Sequence, residues 1–154
     1  EQLTFNDLTW RLNETSNNIA ILVKHISGNM VSRWTDFLTS DGEKSYRRRD
    51  DEFIDDFTTK EEIINIWEQG WEVFLNTLDG LTEDNLLEEI TIRAEKHTVI
   101  QAIERQMFHY SYHVGQIVFI AKQVKDEEWQ TLSIPKGKSA EYLQEKLKEH
   151  KRDD

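Results

Sequence analysis

The sequence has 154 residues, 37% of them hydrophobic and 32% charged, with a formal net charge of −11, no cysteine, one proline and six glycines. A chain of that size with five Trp and seven Phe carries enough apolar side chains for one domain core and does not have a disordered composition. The lack of thiols excludes disulfides, thiolate metal sites and cysteine nucleophiles. The negative surface argues against nucleic acid, and the longest apolar runs, Ile19–Val23 and Ile117–Ala121, are too short for a bilayer.

Few breakers favour long helices over many short strands, so an all-α domain spanning 1–154 is expected. Residues 1–13 read as a helix tail or an extended lead-in anchored by Leu3, Phe5, Leu8, Trp10 and Leu12. Asn13 to Ser16 supplies N-cap residues. Ile19, Leu22, Val23, Ile26, Met30, Trp34 and Phe37 then recur at three- and four-residue steps, which predicts an amphipathic helix to about Leu38. Glu43 to Thr58 fits no period and reads as a long ordered loop on Tyr46, Phe53, Ile54 and Phe57. Within it Arg47-Arg48-Arg49 precedes Asp50-Asp51-Glu52. The run is a salt-bridged loop or, alternatively, an anion-binding patch at a site mouth.

Thr59 and Glu62 have capping-box spacing and open a helix through Ile63, Trp67, Trp71, Phe74 and Leu78, with Gly80 expected at its C′ position. Leu81–Leu87 reads as a turn or short helix and Glu89–Ile92 as a brief strand or extended crossover. The longest helix is predicted from about Thr98 to Gln123, its buried side formed by Val99, Ile103, Met107, Tyr110, Val114, Ile117, Val118 and Ala121. A linker through Pro135-Lys136-Gly137 leads to a charged last helix over Ala140–His150, capped by Ser139. The start at Glu-Gln, without a methionine, leaves room for residues upstream. No basic-then-apolar signal segment is seen, so a cytoplasmic location is expected.

Three of the five histidines stand apart. His109 and His113 are four residues apart on the longest helix, about 40° around its axis at ~3.6 residues per turn. They share a stripe with Ala102, Gln106, Gln116 and Ile120, bordering the apolar face. His25 lines up with Asn18, Asn29, Arg33 and Asp36 on the first long helix. Two polar seams meeting inside a bundle leave imidazoles that need partners, at a cost of roughly 1–3 kcal/mol each if unmet. One divalent ion satisfies all three and keeps a position open. The competing reading is a chance spacing for the pair and a satisfied core residue for His25. His97 and His150 read as solvated. Asp36 is about 16 Å along the helix from His25 at ~1.5 Å per residue, too far to share an ion, whereas Asn29 is one turn away. Glu62, Glu68 and Glu72 lack the Glu-x-x-His spacing of a di-iron bundle.

The block Phe108-His109-Tyr110-Ser111-Tyr112-His113-Val114-Gly115-Gln116, with the upstream His25-Ile26-Ser27-Gly28-Asn29-Met30, resembles the DinB-like (YfiT-like) metalloenzyme family. The Asp41-Gly42-Glu43-Lys44 turn and Leu132–Gly137 resemble an uncharacterised bacterial subgroup of it. The resemblance runs from about Leu8 to Gly137 and implies a four-helix bundle with long connecting loops. It also implies one zinc- or nickel-like ion per chain on His25, His109 and His113, and a homodimer. The family's first helix should precede Leu8–Trp10, and only a fragment of it is present.

Characterised members of that family transfer low-molecular-weight thiols or isomerise substrates with thiol help. The expected activity is therefore metal-dependent thiol S-transfer on a small molecule. Asn29, Tyr112 and Gln116 are candidates to orient a ligand, and Arg33 to bind the substrate. The alternatives are a hydrolase using a metal-bound water, weakened by the absence of an evident carboxylate base beside the His pair, and a non-catalytic metal-binding stress-response protein.

Overall fold

The computed structural model describes residues 1–150; the last four residues of the domain expected over 1–154 lie outside the described residues. The helices are α1 (Phe5–Thr9), α2 (Ile19–Trp34), α3 (Lys60–Asp79), α4 (Val99–Lys125) and α5 (Ser139–Glu149). One antiparallel hairpin, β1 (Glu89–Ile92) and β2 (Glu95–Thr98), lies between α3 and α4. The all-α class expected from the sequence is the one observed. None of the described helices is long and apolar enough to cross a membrane.

Capping chemistry sets the starts. Thr59 accepts the Glu62 N–H and the Glu62 carboxylate accepts the Thr59 N–H; Thr98 and Gln101 repeat the device on α4, as the residue pattern of a capping box implies. Residues 1–13 prove to hold a short helix with its own box, Thr4 with Asp7, and not the tail of another. The cap of α2 is Asn18, which accepts the Ile21 N–H at 2.9 Å. Asn13 instead gathers Thr15 and Ser16 into a turn.

α2 stops at Trp34, not Leu38, because Asp36 turns left-handed (φ 48) and its carbonyl accepts from Thr39 and Ser40. Gly80 is right-handed (φ −81), so the glycine's access to positive φ goes unused. Ser139 is the first helical residue of α5, and Lys138 occupies the cap without a side-chain bond.

α2 is buried on nearly every face and packs against α1, α3, α4 and a 3-10 turn over Arg49–Phe53. α1 touches both α2 and α4 and takes the fourth place in the bundle. One apolar cluster gathers Ile26, Met30, Trp34, Phe74, Ile92, Val99 and Tyr110; a second gathers Leu8, Ile19, Val23, Ile63 and Ala121. Along α2 and α4 the histidines fall between these two clusters.

Two expectations about burial fail. Met107 and Val114 are exposed, together with Phe108, Tyr112 and Phe119, because no described element covers that side of α4. The 43–58 loop is anchored less by its apolar side chains, since Tyr46, Phe53 and Ile54 are exposed, than by buried Glu52 and the arginine it holds.

Candidate metal centre

α2 and α4 bring His25, His109 and His113 into one cluster, with a ligand atom of each within 4.8 Å of the others. The His109 Nε2 lies 3.3 Å from the His25 Nε2 and 3.1 Å from the His113 Nε2. Nitrogens about 2.0–2.1 Å from a tetrahedral ion stand about 3.3 Å apart, so the spacing fits a divalent ion bound by three imidazoles. Among the described residues no other His, Asp or Glu joins the group. The described residues thus offer three histidine ligands.

Each ring is held from behind. The His25 Nδ1 donates to Glu52 Oε2 at 2.9 Å, and Arg47 grips the same carboxylate with two N–H groups at 2.7 and 2.9 Å. Burial pushes the Glu52 carboxyl up, but the hydrogen bonds from His25 and Arg47 outweigh it and hold the group below its ordinary value. The His113 Nδ1 donates to Gln116 Oε1 at 2.8 Å. Outer-sphere partners of this kind fix the tautomer that leaves Nε2 free to ligate.

His109 is held differently. Its Nδ1 faces the Gln106 NH2 group at 3.1 Å; that group also donates to Asn29 Oδ1, while the Gln106 Oε1 accepts from Arg33 Nη1 at 3.2 Å. Arg33 thereby sets which way the amide faces. Ligation through Nε2 puts the His109 proton on Nδ1, where Gln106 must present oxygen instead of NH2. Burial first, then the neighbouring His113 and His25, draws the His109 imidazole down to about 4. Burial also lowers His113, so both rings are neutral, as ligands must be, at physiological pH.

The other candidates divide. Asn29 is buried and used by Gln106, and Gln116 is used by His113. Tyr112 is largely exposed, its ring edge against His113 at 5.0 Å between centroids. Arg33 is buried and lines a cavity of about 340 Å³ with His25 and His109 on its wall. A second, more apolar cavity of about 480 Å³ lies on the far side of Gln116, against Leu22, Phe119 and Ile120.

The three consecutive arginines part company. Arg47 pairs with Glu52, Arg48 with Asp51, and Arg49 reaches the cavity. His97 is not solvated: it sits in β2 opposite Ile90, mostly covered, and its Nε2 finds no hydrogen bond. His150 is exposed.

Glu52 and Arg47 are the functional residues that sequence reasoning missed. They lie in an aperiodic loop, in a charge run whose expected salt bridges form but whose link to His25 the sequence does not show. The available signal was Gly28, a glycine inside a helix where alanine is better by about 1 kcal/mol. A Cβ there would lie 2.5 Å from Glu52 Oε1, so the glycine makes room for the carboxylate that orients His25.

A family model described as "Protein of unknown function (DUF1572)" matches residues 1–138. Comparison with curated proteins and with solved structures gives no match.

Proposed function

The chain belongs to the DUF1572 family, and on that premise we propose that it is a metal-dependent enzyme that transfers a low-molecular-weight thiol to a small electrophile. The observation that carries this is the convergence of the His25, His109 and His113 Nε2 atoms, with the His25 and His113 rings held at Nδ1 by Glu52 and Gln116. The same convergence supports kinship with the DinB-like metalloenzymes.

His25, His109 and His113 would hold a zinc or nickel ion, which would supply the Lewis acidity for a thiol to lose its proton to solvent near neutral pH. The sulfur then forms a bond to the electrophilic carbon, and the leaving group departs with its electron pair. The side chains of the site hold and orient: Glu52 and Gln116 fix the His25 and His113 rings, and His25 and His109 lie on the wall of the Arg33 cavity. Glu52 is committed to His25 and Arg47, so among the described residues no free carboxylate base joins the three histidines for the hydrolase reading. A homodimer fits the same reading, supported by the exposed Met107, Phe108, Tyr112 and Phe119 of α4; light scattering showing a monomer at high micromolar concentration removes it.

Metal analysis of protein purified without a histidine tag is expected to give one equivalent per chain. His113→Ala or His109→Ala should abolish it, and His150→Ala should leave it intact. In the cobalt-substituted protein, small thiols are expected to produce a sulfur-to-metal charge-transfer band. Metal binding that survives both alanine variants overturns the centre. A spectrum that no thiol changes overturns the transferase and moves the hydrolase ahead.

A further inference from the structure

The cavity beside the histidines is cationic in a chain that is not. Arg33, Arg49, Arg93 and Arg105 all line it, its remaining lining is two histidines and two amides, and no carboxylate contributes. Over the whole chain acidic residues outnumber basic ones, 30 Asp and Glu against 19 Lys and Arg. Four guanidiniums on one concave wall are therefore a departure from the rest of the surface.

Their partners sharpen the point. Among the described residues no carboxylate lies within ion-pair distance of Arg33, Arg49 or Arg105, and Arg93 alone has one, Glu43 at 3.1 Å. Arg33 is 3% exposed, and its guanidinium donates only to the Gly42 carbonyl at 3.3 Å and the Gln106 amide. Burial, then the nearby Arg105, lowers it to about 10, so it stays charged at neutral pH. A buried cation without a counter-ion is costly, and the fold maintains it by design of its surroundings. Gly42 is one such device, since a Cβ there would lie 2.6 Å from Arg33 Cδ.

The hairpin supplies another. Arg93 and Ala94 form its two-residue turn with both φ positive (55 and 62), a conformation that usually calls for Asn or Gly. The Asp41 carboxylate stabilises it by accepting both backbone N–H groups at 2.8 Å. A strained turn of non-glycine residues is thus kept in place, and it carries Arg93 to the cavity.

We propose that this cavity is the subsite for an anionic group of the substrate, a carboxylate pair or a phosphate on a compact molecule whose reacting atom lies at the three histidines. The inference deepens the metal-enzyme reading and rests on it for the identity of the reacting atom, though not for anion binding itself. A volume of about 340 Å³ equals that of about eleven waters at roughly 30 Å³ each, which suits a small acid and not a polymer. Planar guanidiniums match the oxygen pairs of both anion types, so the two probes below tell them apart.

Titration calorimetry with succinate and with inorganic phosphate, at fixed ionic strength and with chelator present, reads the subsite without metal. One of the two is expected to bind, and Arg33→Met and Arg105→Gln should each weaken it by about tenfold or more. Arg48→Gln, in the same loop but paired with Asp51, should leave it unchanged. Arg105 is exposed, so its variant serves even if Arg33→Met does not fold. Binding of neither anion, or affinities within twofold of the parent in both cavity variants, overturns the subsite. Anion binding by a protein that takes up no zinc fails the metal centre alone, whereas zinc uptake without anion binding fails the subsite alone.

Discussion

Arg47 and Arg33 flank the same three histidines, and the Arg47 side chain and the Arg33 residue are each about 3% exposed. Arg47 has a carboxylate on two of its nitrogens, and that carboxylate in turn fixes His25. Arg33 has a carbonyl and an amide oxygen, and through the amide it touches His109. One charge is cancelled within the fold and spent on orienting a ligand. The other is left uncancelled, facing a cavity. Burial alone does not say what a charge is for; the difference lies in whether the chain supplies its own counter-ion.

Removing the internal counter-ion breaks the comparison most severely. Glu52→Gln leaves buried Arg47 with only the more distant Glu43 carboxylate, at 3.5 Å, and is expected to cost about 3 kcal/mol of stability. Because the outer-sphere anchor of His25 is lost with it, metal affinity should fall by about 10–100-fold. Chemical denaturation and competition with a chelating dye measure the two. Both values unchanged would mean that the carboxylate is incidental and that His25 is held by packing alone.

Giving Arg33 a counter-ion sharpens the comparison from the other side. Gln106→Glu places a carboxylate between Arg33 and His109, in the role that Glu52 has between Arg47 and His25. It accepts from the His109 Nδ1–H, which the present NH2 group cannot do, so metal affinity is expected to rise by up to about tenfold. Anion affinity should fall by about tenfold as Arg33 is neutralised. A variant in which both affinities move the same way would show that the amide does not couple the two functions.

How much of this was legible follows from period and range. The helices on either side of the cluster were readable because their apolar residues recur at helical spacing, and the caps at Thr59 and Thr98 carry local signatures. His25, His109 and His113 were readable as a set because two share a turn and the third lies on a polar seam. Glu52 was not, because its partner His25 is 27 residues away across a loop with no period. The arginine cavity was glimpsed only at Arg33 and Arg49. Arg93 and Arg105 arrive from a hairpin turn and from an exposed position on α4, and only tertiary structure joins them. Met107 and Val114 show the converse, since a periodic stripe predicts burial only where another element exists to cover it.

The smallest expected effect concerns how Arg93 is kept on its side of the comparison. Desolvation raises the Asp41 carboxyl, but the backbone N–H groups of Ala94, Glu43 and Arg93 outweigh it and hold the group at about 2. A carboxyl lowered in the fold contributes stability that is complete above its unfolded value near 3.8 and is lost as the pH falls toward 2. Allowing for its partial exposure, the contribution is about 1–2 kcal/mol. Asp41→Asn keeps one acceptor and turns an NH2 group toward the second N–H, so the variant should be less stable by that amount from pH 8 down to pH 5. The gap between the two proteins should then narrow below pH 4 as the parent carboxyl takes up its proton. Glu52 loses its charge with the same sign, but it is present in both proteins and cancels in the difference. Urea unfolding across that range measures the gap, and a gap that does not change with pH would assign the turn's strain to some other support than the Asp41 charge.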